Sequence, residues 1–155
     1  MSVQERLAEL GITLPAVAAP VAAYVPAVRT GHLVHTSGQL PFVDGALPVT
    51  GKVGTGDDDV SPERAAQLAR TAVLNALAAV EALVGDLDQV VRVVKVVGFV
   101  ASRPDFTGQP GVINGASTVL GEIFGDAGVH ARSAVGVAVL PLDSPVEVEI
   151  VVEVG

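Results

Sequence analysis

The chain has 155 residues, half of them apolar, a formal net charge of −8 and no cysteine. That length fits one domain, residues 1–155, around a single core. The acidic balance, with no basic stripe, argues against nucleic acid as a partner, and the lack of cysteine excludes disulfides, thiolate metal sites and a cysteine nucleophile.

The segment "SVQERLAELG" predicts a short opening helix. Ser2 and Glu5 have capping-box spacing, Val3, Leu7 and Leu10 share a face, and Gly11 ends it. Residues 1–11 thus form a helical N-terminal extension. The start lacks the basic and apolar regions of a signal peptide, and "LPAVAAPVAAYVPAV" carries three prolines, so it does not span a membrane as a helix. A cytoplasmic protein with no membrane partner is the expectation.

Two strand-like runs follow, about Ala22 to Val28 and Leu33 to Ser37, joined as a hairpin by "RTGH". The next stretch is rich in Gly, Pro and Asp and reads as loop, with a short strand near Leu47 to Val53. "SPERAAQLARTAVLNALAAVEALVG" is the clearest helix. Ser61 caps it, Pro62 suits its first turn, an apolar stripe runs from Ala65 to Leu83, and Gly85 stops it. "QVVRVVKVVGFVAS" is a strand by its β-branched density, apolar at both parities and therefore central and covered on both faces. "GVINGASTVLGEIFG" predicts a second, shorter helix, and Arg132 to Leu140 and Val146 to Val154 the last two strands.

The order strand, strand, helix, strand, helix, strand, strand gives an α+β domain, with a mixed sheet carrying its two main helices on one face. In the fourth strand, Arg132, Ala134, Gly136, Ala138 and Leu140 alternate with Ser133, Val135, Val137 and Val139. The valine parity suits the helices, leaving the small-residue parity for a ligand or another backbone. The last strand alternates Val146, Val148, Ile150, Val152 and Val154 against Glu147, Glu149, Val151 and Glu153, which predicts an acidic face near the arginine face. A sheet with one face uncovered needs other subunits, so a homo-oligomer is expected.

Arg132 heads an almost wholly apolar run, and a guanidinium there is either half of a structural ion pair or a fork for a small carboxylate. Taken alone, Glu147 reads as a solvated strand residue, Ser37 before Gly38 as a turn, and Asn114 as a polar helix residue. No Ser-His-Asp triad is visible and the three histidines have no evident partners. His32 and His35 fall on opposite strand faces, so no metal site is expected.

Two stretches carry a resemblance. "YVPAVRTGHLVHTSGQLP" is similar to the opening hairpin, and "ARSAVGVAVLPLDSPVEVEIVVEV" to the C-terminal signature, of the Rid family of reactive-intermediate deaminases, also called YjgF-type proteins. The likeness runs from about Tyr24 to Val154. It implies a chorismate-mutase-like α+β fold, a homotrimer whose sheets form a central barrel, and three clefts between subunits. The activity it implies is hydrolysis of reactive 2-imino and enamine acids to 2-keto acids and ammonia, with no cofactor. By motif, Arg132 matches the arginine that grips the substrate carboxylate, and Glu147 the acid that orients or activates water. Tyr24, Ser37, Gly38, Asn114 and the position of Ala134 match residues lining the cleft. The chain departs from the family's pattern at Ala134, where cysteine is frequent, at Pro26, and at His130, where proline is common. The competing reading is a non-catalytic trimer that binds a carboxylate metabolite or a protein in the same clefts. An RNA-cleaving protein fits poorly with the acidic charge and the scarcity of aromatic platforms.

Overall fold

A computed structural model describes residues 1–17 and 23–155. Helix α1, Val3–Glu9, is closed by the predicted capping box: Glu5 N–H donates to Ser2 Oγ, and Ser2 N–H to Glu5 Oε2. The hairpin is β1, Ala27–Thr30, and β2, Leu33–Thr36, paired antiparallel. The first strand thus starts later than the sequence reading placed it, and the start of that reading, Ala22, lies outside the described residues. No strand forms over Leu47 to Val53. There the loop makes only isolated bridges, Val53 with Val60 and with Ser102.

Helix α2, Pro62–Val84, is capped by Ser61 and stopped by Gly85 with φ of +87°. By length and apolarity it would suit a membrane, yet its stripe from Ala65 to Val80 is buried in the core of this domain. Strand β3, Val90–Ala101, leads to α3, Gln109–Phe124, then β4, Ala131–Val137, and β5, Val146–Val154. The sheet order is β1-β2-β5-β3-β4; β3 and β4 are parallel and the other pairs antiparallel. α2 and α3 pack against each other and on one sheet face, as the order of elements predicts.

That face buries Val93, Val96, Val100, Val146, Val148, Ile150 and Val152. Two glycines let the layers close. A Cβ on Gly98 of β3 would sit 2.5 Å from Ile113 Cδ1 of α3, and one on Gly115 of α3 would run into the Ala66 carbonyl of α2. Backbone therefore meets backbone where the helices cross, and neither can move without losing core contact.

Two expectations are corrected here. The far face of β3, with Lys95, Val97 and Phe99, is only half-buried within one chain, because no layer formed by the described residues covers it. The parity of β4 is also the reverse of that predicted. Arg132, Ala134 and Gly136 pair with Val96, Gly98 and Val100, so the small-residue parity faces the helices, while Val135 stands 44% exposed on the open face. The Gln109 and Ser102 side chains lie over Gly136, so a larger residue there would have to displace them.

Candidate active site

The residues singled out from sequence fall into two groups. The first is built where α3 crosses the start of β4. Asn114 and Ser117 are three residues apart on α3 and so share a helix face. Arg132 Nη1 donates to Asn114 Oδ1 at 2.8 Å and to Ser117 Oγ at 3.2 Å. Ser117 Oγ lies 2.8 Å from His130 Nε2, and His130 Nδ1 lies 2.6 Å from the Gly128 carbonyl oxygen. Ala134 follows on the same parity and packs against the core.

No carboxylate pairs with Arg132 among the described residues; the ion pairs there are Arg6–Glu9 and Arg103–Asp59. The structural ion pair is therefore not what holds this guanidinium. Neutral acceptors hold it by one nitrogen, and Nη2 and Nε have no protein partner among the described residues. A half-buried cation with open donors and no counter-charge among the described residues has the donor set to take a small anion, best a planar carboxylate.

The second group lies at the start of β5. Glu147, Gly38 and Tyr24 line a cleft of about 660 Å³, together with Leu40, Phe42 and Leu142. The carboxylate of Glu147 lies flat over Gly38: a Cβ there would stand 2.5 Å from Glu147 Oε2. Burial pushes the Glu147 carboxyl above the ordinary glutamate value, and the charge of Glu149 adds to the rise. Ser37 anchors the wall instead of reaching in, since its hydroxyl donates to the Val25 carbonyl at 2.6 Å and its N–H to that of Pro26 at 2.8 Å. The cleft rim carries strain: Leu142 and Asp143 both adopt positive φ, 58° and 57°, held by Gly51 N–H on the Asp143 carbonyl.

The two groups do not meet in one chain. β5 and β4 are separated by β3, and Glu147 pairs with Phe99 while Arg132 pairs with Val96. Strand spacing and rise place the two Cα atoms roughly 14 Å apart. Glu147 also points to the open face and Arg132 to the helix face, so the acidic face is not beside the arginine as the sequence suggested. Sequence reasoning missed Ser117 and gave His130 no partner. The signal available was the three-residue spacing of Asn114 and Ser117 on a helix leading to His130 and Arg132. His32 likewise has a partner, the Val154 carbonyl, 3.2 Å from its Nδ1. Among the described residues no three His, Cys, Asp or Glu side chains converge as a metal cage.

Comparison with known proteins agrees with this architecture. The family model described as "YjgF/chorismate mutase-like, putative endoribonuclease" matches residues 4–154. A solved protein of unknown function from Agrobacterium tumefaciens is 44% identical over 99% of this chain and 94% of its own, with a TM-score of 0.88. A "putative endoribonuclease" from Shewanella oneidensis MR-1 is 32% identical over 99% of this chain and all 100% of its own, with a TM-score of 0.93. TdcF of Escherichia coli, solved with bound serine, is 25% identical over 92% of this chain and 96% of its own, with a TM-score of 0.65. With the match spanning nearly every residue and the fold superposing on these relatives, the chain belongs to the YjgF/chorismate mutase-like family.

Proposed function

We propose that the protein hydrolyses reactive 2-imino and enamine acids to 2-keto acids and ammonia, in clefts between the subunits of a homotrimer. The observation that carries this reading is Arg132, a guanidinium without a counter-charge whose open donors suit a carboxylate. Bound serine in TdcF is in keeping with it, because serine presents the same carboxylate and an adjacent nitrogen-bearing carbon. Arg132 of one subunit holds the carboxylate, and Glu147 of a neighbouring copy faces the imine carbon across the cleft.

The reaction asks little of the protein. Water adds to the carbon of the protonated imine while Glu147 takes one of its protons, leaving a carbinolamine. Glu147 returns that proton to nitrogen, and as the C–N bond breaks and ammonia leaves, the carbinol hydroxyl gives its own proton to Glu147 and becomes the keto oxygen, with no change in oxidation state. A carboxyl raised above its ordinary value takes and holds a proton more readily than a solvated glutamate, which suits a group that must accept a proton from water and keep it for the second half. Fixing the electrophile beside a held water supplies the remainder. A second reading, binding of an amino or keto acid without turnover, is favoured only by the serine complex of TdcF, in which the ligand is an amino acid and not an imine.

The test generates 2-imino acids in situ with an amino-acid oxidase and follows keto-acid release. Wild type accelerates release over buffer, and Arg132→Ala loses on the order of 10- to 100-fold of that acceleration, the worth of a charge-assisted contact. Wild type no faster than buffer across several imino acids contradicts the hydrolase reading.

A further inference from the structure

We infer that Ser117 and His130 select which edge of Arg132 meets the ligand: they hold Nη1 occupied and leave the Nε–Nη2 edge as the only fork. This rests on the reading that Arg132 grips a carboxylate.

The argument follows the protons. The Gly128 carbonyl can only accept, so His130 Nδ1, 2.6 Å away, carries the ring hydrogen. In the neutral ring Nε2 is then a bare acceptor, and the hydroxyl 2.8 Å from it must be the donor. With its proton committed to His130, Ser117 Oγ turns its lone pairs toward Arg132 and takes one Nη1 hydrogen at 3.2 Å. Asn114 Oδ1 takes the other at 2.8 Å. Nη1 has two hydrogens and both are used. What remains are the Nε hydrogen and those of Nη2, which lie side by side and match the two oxygens of a carboxylate. The histidine thus acts at one remove, as a positioning residue: it never touches the guanidinium, but it fixes the sense of the hydroxyl that does. The backbone sets this sense, because the fixed end of the chain is a carbonyl in the turn between α3 and β4.

The inference is tested in the intact assembly by nitrogen NMR of ring-labelled histidine and by calorimetry with pyruvate, a 2-keto acid, as the probe. Wild-type His130 shows a protonated Nδ1 and a bare Nε2, and Ser117→Ala moves the Nε2 resonance. Ser117→Ala and His130→Ala each weaken pyruvate binding about five-fold, the worth of one hydrogen bond. The double variant is no weaker than Ser117→Ala alone, because His130 acts only through Ser117. A ring protonated at Nε2 in wild type, or losses that add, overturns the inference. Wild type that neither hydrolyses imines nor binds pyruvate removes the functional reading instead, and the ring signature still decides whether this chain exists.

Discussion

The arginine corner and the glutamate cleft solve opposite problems with the same sheet. At the corner, a cation sits beneath a helix with only neutral oxygens around one of its nitrogens. In the cleft, an acid sits over a glycine with another acid nearby, and burial raises its affinity for a proton. Each charge lacks the partner that the other would supply, yet they point away from each other across the sheet. A chain that wanted only stability would pair them, since an unpaired, partly buried charge is costly. On the function proposed above, each half is open to something outside the chain: a ligand, and a neighbouring copy that brings the complementary half.

The largest blow to this arrangement is expected at Gly115. A Cβ there collides with the Ala66 carbonyl, which is backbone in a long core helix and cannot swing aside. Gly115→Ala pushes α3 off α2 and carries Asn114 and Ser117 away from Arg132. Loss of about 3 kcal/mol in chemical denaturation is expected, with weakened carboxylate binding in whatever still folds. Wild-type stability would mean that the helices do not meet as closely as described.

Gly38→Ala strikes the other half and leaves the corner intact. The new Cβ lands on the Glu147 carboxylate, a flexible side chain that can move, so the cost falls on position more than on folding. Turnover drops roughly ten-fold while pyruvate affinity changes little, because water and not carboxylate is mishandled. An equal loss of affinity would put both residues at one binding locus.

The smallest effect is on pH dependence. A carboxyl raised in the folded state binds its proton more tightly folded than unfolded. Its contribution to stability is full below the ordinary glutamate range and is lost as pH rises through the raised value. Glu147→Gln removes that loss. Thermal midpoints of variant and wild type are therefore close at about pH 4 and diverge in the variant's favour toward pH 8. Curves that run parallel across this range would show that burial does not raise Glu147.

Much of the fold is legible in the residues. Caps at Ser2 and Ser61, the stop at Gly85 and the alternation of Val and Glu in β5 are local signals with local causes, and each holds. The face of β4 is not legible, because β3 is apolar at both parities and so gives no clue to which side of its neighbour the helices cover. Hydrophobicity alone puts valine on the covered side, yet Ala134 packs against the core there and the Gln109 side chain lies over Gly136. Arg132 followed its parity to the helix side. The site residues were legible as a set, through motif, while their division between two faces depends on register, which the sequence states only weakly. Ser117 and His130 escaped notice because their roles arise from a hydrogen-bonded chain across α3, a turn and β4.

The central claim is that Arg132 and Glu147 act together only across copies. Co-refolding Arg132→Ala with Glu147→Gln in equal amounts tests it most directly. Each pure variant is slowed at least about ten-fold in imine hydrolysis, and the mixture regains the wild-type rate at about a quarter of its sites, where an intact arginine from one chain faces an intact glutamate from another. A mixture as slow as its parents, with subunit exchange verified by mass, would place both residues of each site in a single chain and contradict the account.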